Sequence, residues 1–251
     1  MIKLTGQSVI SLFLVSFLLA SPVKELILKG DECYLKRETL NKAWEAKRYY
    51  EEAIRLDSNN YEAYWKLAKV IYFLSDNLLS KEKLSLLKEG IQIARKAVKI
   101  NPNRAEGHFW LAALLGSYSE ISKIKSLSFL KEIEKEFQLA LKIDSTIEDG
   151  GAYTALGRMY FKLPSFLGGS LDKAWEYLLK AKEICPLNPY TKLYLADLYL
   201  TKKMKEKAKK ELTELIQMEE EQKWLPEIKK LKEMAKEKLR RLNGKEEKFN
   251  R

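Results

Sequence analysis

The chain has 251 residues, with 46 Lys and Arg against 35 Asp and Glu, so its formal net charge is +11 at neutral pH. Two cysteines and one histidine leave no material for a disulfide framework or for a zinc site of the usual ligand spacing. Six prolines, apolar residues recurring at three and four, and no alternating strand indicate one elongated all-α domain.

Taken from the start, Lys3 precedes a twelve-residue apolar run, Val9 to Ala20, followed by the small or helix-stopping Ser21 and Pro22. Such a run is too short for a span of about 20 residues, but it suits the apolar region of a secretory signal peptide. Residues 1–21 are therefore expected to be a cleaved signal peptide, which would place the mature chain in the periplasm of a two-membrane cell. The alternative is an uncleaved signal anchor. Cys33 follows Gly30-Asp31-Glu32, which is not the small-residue context of a lipid-attachment site.

Residues 22–42 read as a helical segment, and residues 43–222 as a repeat array. In its best unit Leu156, Gly157 and Tyr160 open one helix, Ala174, Leu178 and Ala181 run along the next, and Pro186 ends it. Large, small and aromatic residues recur in this way in tetratricopeptide (TPR) units of about 34 residues. Small residues allow two antiparallel helices to approach, and large ones fill the holes between them. Ala46, Tyr50, Ala53 and Ser58 match the second half of an earlier unit. Tyr64 to Pro102, His108 to Ser145 and a last unit from Pro189 through Leu215 complete the series. The second and third units carry about ten residues beyond the TPR spacing, as a longer second helix or an intervening loop. An ordinary helical bundle also repeats at three and four, but not with Ala or Gly at each contact position. The fold class is an all-α solenoid, a TPR-like superhelix of about ten antiparallel helices.

Residues 223–243 fit a capping helix with Ile228, Leu231 and Ala235 on one face, and 244–251 a disordered tail. From Lys202 onward there are 17 basic against 11 acidic residues. Interleaved glutamates argue against nucleic-acid binding. An acidic partner, or peripheral contact with an anionic membrane, suits the charge better.

Catalysis finds no support. The sole histidine, His108, stands at a helix-packing position. Gly168-Gly169-Ser170 lacks the lysine and the preceding strand of a phosphate-binding loop and reads as a turn with a capping serine. Asp149-Gly150-Gly151 likewise reads as a helix entrance. Cys33 and Cys185 lie at opposite ends of the array, too far apart for a bridge. No catalytic residue, cofactor or metal is expected.

The arrangement Leu156, Gly157, Arg158, Tyr160, Pro164, Gly168, Gly169, Ser170, Lys173 and Ala174, with the late segment Trp224 to Leu239, resembles the TatT family. These proteins are T-components of tripartite ATP-independent periplasmic (TRAP) transporters. The same core is similar to the eukaryotic regulators of microtubule dynamics. The resemblance spans residues 43–242. It implies a periplasmic partner of a TRAP substrate-binding protein, with a passage for a small apolar or carboxylated ligand, and it allows a homo-oligomer. The missing lipid-attachment cysteine departs from the family's anchoring.

Independently of the resemblance, TPR units present a groove from their first helices. The corresponding positions here are Trp65, Lys69, Tyr72, Phe109, Arg158, Phe161, Tyr190 and Asp197, aromatic anchors interspersed with charges. Arg158 offers a planar fork suited to a carboxylate, or to a neighbouring glutamate. About half of the aromatics are expected to pack between helices instead. The two functional readings are a TRAP accessory and a general envelope scaffold without a transport role.

Overall fold

Helix starts in this chain are set by its caps. In the computed structural model, which describes residues 21–122 and 126–249, Ser21, Asn60, Ser170 and Asn188 each accept a hydrogen bond from an N–H of the following first turn. They satisfy donors that a helix start leaves open. Pro22 and Pro189 open their helices, where a missing N–H costs nothing. The expected signal peptide, apart from Ser21, lies outside the described residues. No described helix is long and apolar enough to cross a membrane.

Five hairpins follow one another. They are α1 (Pro22–Leu35) with α2 (Leu40–Leu56), α3 (Tyr61–Ser75) with α4 (Ser80–Ile100), and α5 (Ala105–Ile121) with α6 (Ser126–Ile143). Then come α7 (Ile147–Lys162) with α8 (Leu171–Ile184), α9 (Pro189–Thr201) with α10 (Lys205–Gln217), and a last helix, α11 (Glu227–Phe249). The chain is the expected all-α solenoid, with eleven α-helices among the described residues. The long units arise mainly from longer second helices, 21 residues in α4 and 18 in α6 against 14 in α8 and 13 in α10. Within the 22–42 segment, α1 supplies the first helix of the opening hairpin. Helix α11 continues past residue 243 into the stretch expected to be disordered.

Small residues sit at the helix contacts. Ala43, Ala68, Ala94, Ala140, Ala174 and Ala208 are fully buried. A Cβ at Gly30 would lie 2.4 Å from the Tyr50 ring, and one at Gly157 would lie 2.6 Å from Leu178 Cγ and 3.3 Å from the Leu178 amide nitrogen. The first helices of the hairpins, α1, α3, α5, α7 and α9, pack side by side and form the inner wall of the superhelix. Helix α11 covers α9 and α10, burying Ile228, Leu231 and Ala235.

His108 is part of this frame. Its Nδ1 meets Glu136 at 2.5 Å and its Nε2 the Pro102 carbonyl at 2.9 Å. The hydrogen bond that its Nδ1–H donates to Glu136 holds the imidazole above its ordinary pKa, against burial. The ring ties α5 to α6 and to the turn before it.

The contact at Gly157 sets the register of the α7–α8 hairpin. Gly157→Leu should lower stability by about 1–3 kcal/mol through overpacking. Chemical denaturation measures this, and an unchanged midpoint would contradict the close approach.

Candidate functional site

The inner wall is aromatic, and its charges are paired. Tyr34 from α1 meets Phe73 from α3 edge-on at 6.1 Å, and Tyr72 meets Trp110 of α5 at 5.6 Å. Tyr190 and Tyr194, one turn apart on α9, lie 6.3 Å from each other. Burial raises the pKa of the phenols of Tyr34, Tyr72, Tyr190 and Tyr194, so all four stay protonated donors. The Trp110 indole N–H is buried without a hydrogen-bond partner.

Cations stand between these rings. Lys69 lies 5.6 Å from the Tyr34 ring and 5.3 Å from that of Trp110, and it donates to both Glu148 oxygens at 3.0 and 2.9 Å. Arg158 lies 5.4 Å over Tyr194 and pairs with Glu120 at 2.8 Å. Burial works against its charge, but Tyr194 and Glu120 hold its pKa above the ordinary value. Glu148 and its neighbour Asp149 adopt left-handed backbone, with φ of 47° and 53°. That conformation costs a non-glycine residue about 1–2 kcal/mol. It is held by the Lys69 pair, by Lys223 on Asp149 at 3.2 Å, and by Asn188 donating to the Asp149 carbonyl at 3.0 Å. The regular right-handed helix of α7 thus begins only after this kink, at Gly151, in keeping with the expected helix entrance at 149–151.

The wall is not an open groove. The segment 218–226 leaves α10 and crosses to the turn between α1 and α2. There Arg37, 4% exposed, donates to both oxygens of Glu227 at 3.1 and 2.8 Å and to the Lys223 carbonyl at 2.7 Å. Its guanidinium stacks 4.6 Å from the Tyr34 ring and 5.5 Å from Phe73. Gln222 donates to the Leu35 carbonyl at 2.6 Å. Lys229 pairs with Glu38, Lys230 with Asp76 at 2.9 Å, and Lys238 with Asp197 at 2.5 Å. The first and last units of the array are thus joined across the inner wall.

Of the eight residues expected to line a groove, Lys69, Tyr72, Arg158 and Tyr190 share this wall, and Asp197 anchors α11. Trp65 shares the α3 face of Lys69 and Tyr72, with Lys66 lying 5.5 Å from its ring. Phe161 is half-buried against the core. Phe109 is a packing residue, 7% exposed and edge-on to Phe137 of α6 at 5.6 Å. Its neighbour Trp110 faces the wall instead. Sequence reasoning missed Trp110, Tyr34, Arg37, Tyr194 and Glu227. Tyr194 could have been found as the residue one turn after Tyr190. Arg37 and Glu227 carry no local signal, because their pairing joins positions 190 apart.

Residues 26–167 match the family model described as regulator of microtubule dynamics protein 1-3, which is more than half of the chain. The protein belongs to that family. No curated protein matches this member in sequence. In structure the chain is similar to a thermophilic TPR protein of Thermus thermophilus, with a TM-score of 0.63 and 17% identity over 86% of this chain and 97% of that one. It is also similar to MamA of Desulfovibrio magneticus, at 0.51 and 20% over 77% and 93%. Yeast Tom70 gives 0.50 and 19% over 80% of this chain and 38% of its own. These likenesses establish the TPR-type fold for this family member.

The Arg37–Glu227 pair makes a quantitative demand. A buried charge left alone is costly, so Arg37→Met or Glu227→Gln should each destabilise the protein by about 3 kcal/mol, and the double variant by less than their sum. A urea double-mutant cycle measures the coupling. Additive losses would mean that the two groups do not interact.

Proposed function

We propose that the protein is an extracytoplasmic interaction protein, an accessory of a TRAP-type solute uptake system. Its inner wall, bridged by the crossing segment, takes a carboxylate-bearing ligand or an acidic segment of the substrate-binding protein at Arg158, whose side chain is 37% exposed. The observation that carries this reading is the alternation of phenols with cations on one concave surface: Tyr34, Tyr72, Tyr190 and Tyr194 around Lys69 and Arg158. Aromatic faces supply contact area at low entropic cost. A guanidinium fork binds a carboxylate through two parallel hydrogen bonds. The likeness of the sequence to TatT proteins and the apolar run at its start support the transport role and the periplasmic address.

A second reading, a general envelope scaffold without a transport role, is favoured by one feature. Each wall cation already holds a carboxylate of the chain itself, Lys69 with Glu148 and Arg158 with Glu120. A partner must exchange with those carboxylates, which suits weak, broad recognition.

A photo-crosslinking amino acid placed at Tyr72 or Tyr190 in the native cell separates the readings. Crosslinks to a TRAP substrate-binding protein, weakened by Arg158→Lys, are the expected result. Crosslinks to assorted envelope proteins would establish the scaffold reading. Crosslinks found only at outward-facing control positions would end the case for the inner wall.

A further inference from the structure

Phe166 and Leu79 stand apart from the other large apolar side chains whose exposure is described. They are 83% and 82% exposed, and none of the rest exceeds 60%. Both lie in turns that join the first helix of a hairpin to its second, Leu79 between α3 and α4 and Phe166 between α7 and α8. An antiparallel hairpin stack brings all such turns to one edge.

The turn that carries Phe166 is rigidly built. Ser165–Leu167 form a single 3-10 turn, and the Gly169 and Ser170 N–H groups donate to the carbonyls of Pro164 and Tyr160, each at 3.0 Å. Gly168 is left-handed at φ 92°, and a Cβ at Gly169 would fall 1.8 Å from the Leu163 carbonyl oxygen. A Cβ at Gly168 would meet nothing within 4 Å, so the tip projects freely. The backbone is fixed around a side chain that packs on nothing, which costs solvation and contributes nothing to the core.

Charge differs between the two edges. On the Phe166 edge the turns carry Lys36, Lys202 and Lys203 against Glu38 and Asp76, and the flanking helix ends add Lys162 and Lys173. Asp172, 97% exposed with Lys202 at 3.6 Å, Glu82 and Glu206 are acidic neighbours in the flanking first turns, while Glu38 and Asp76 pair with Lys229 and Lys230 of α11. On the opposite edge the turns carry Asp57 and Asp144 against Arg104, and the flanking helix ends add Glu62, Glu106, Glu148, Asp149 and Glu183 against Arg55, Lys99, Lys142 and Lys182. The crossing segment carries Glu219 to Glu221 against Lys223.

We propose that the Phe166 edge docks on an anionic lipid bilayer, with Phe166 and Leu79 entering the headgroup layer and the lysines of that edge facing lipid phosphates. Separate apolar tips on a basic edge suit a fluid surface, which closes around each tip. A protein interface instead requires a contiguous apolar centre. Apolar insertion and attraction to anionic headgroups reinforce each other in peripheral binding. The inner wall is not involved, so this inference is independent of the reading above.

Vesicle flotation of the full chain tests it, with phosphatidylcholine vesicles containing or lacking phosphatidylglycerol. Wild type, the double variant Phe166→Ser/Leu79→Ser, and an opposite-edge control, Leu56→Ser/Leu187→Ser, are compared after their melting temperatures are shown to be equal. The wild type should bind anionic vesicles, and less as salt rises. The Phe166 edge variant should bind about tenfold more weakly or worse, and the control should bind as wild type. The apolar run at the start of the chain is common to all three, so it cannot produce the difference. Equal binding by the edge variant, or equal losses in both variants, would overturn the proposal. So would an edge variant that loses a protein partner while keeping its vesicle binding, since that would make the edge a protein interface.

Discussion

One buried ion pair decides what kind of solenoid this is. Arg37, just after the first helix, and Glu227, at the start of the last, form a two-pronged contact in which the Arg37 side chain is 4% and the Glu227 side chain 21% exposed. A stack of hairpins has contacts only between neighbours, so its two ends are normally coupled through every unit between them. Here they are also coupled directly. Burial raises the Glu227 pKa even with Arg37 beside it. The fork geometry of Arg37, its stacking on Tyr34 and Phe73, and its bond to the Lys223 carbonyl are what make a charge at that depth tolerable.

The rest of the inner wall follows from that closure. With the crossing segment in place, Lys223 reaches Asp149 and helps to hold the left-handed kink at the start of α7. The kink directs Glu148 onto Lys69, and Lys69 sits between the Tyr34 and Trp110 rings. Strain at Glu148 and Asp149 is thus maintained by contacts from α3, α9 and the crossing segment together. Backbone strain supported from several elements is characteristic of surfaces shaped for recognition rather than for stability.

The fold was legible because its causes are local. Gly157 and Ala174 permit a close helix approach, Ser170 caps α8, and Pro189 opens α9. Each of these acts within one hairpin, so spacing along the sequence reveals it. The site was legible only in part. Lys69, Tyr72, Arg158 and Tyr190 fall on the wall because repeat register fixes which face of a first helix is concave. Phe109 and Trp110 were exchanged because adjacent residues differ by 100° around a helix, and the extra length of this unit obscures the register. Arg37, Glu227 and the crossing segment were out of reach, since their contacts depend on how five hairpins accumulate rotation, which no short pattern encodes.

The central claim is that the last helix is locked to the first hairpin across the inner wall. Native-state amide hydrogen exchange along residues 228–235 addresses it directly, in the wild type and in Arg37→Met. If the ends are locked, these amides should exchange in the wild type only with global unfolding, at the same free energy as those of α9. In Arg37→Met they should open separately, well before α9. Rapid, independent exchange of this segment in the wild type, with α9 still protected, would contradict the account.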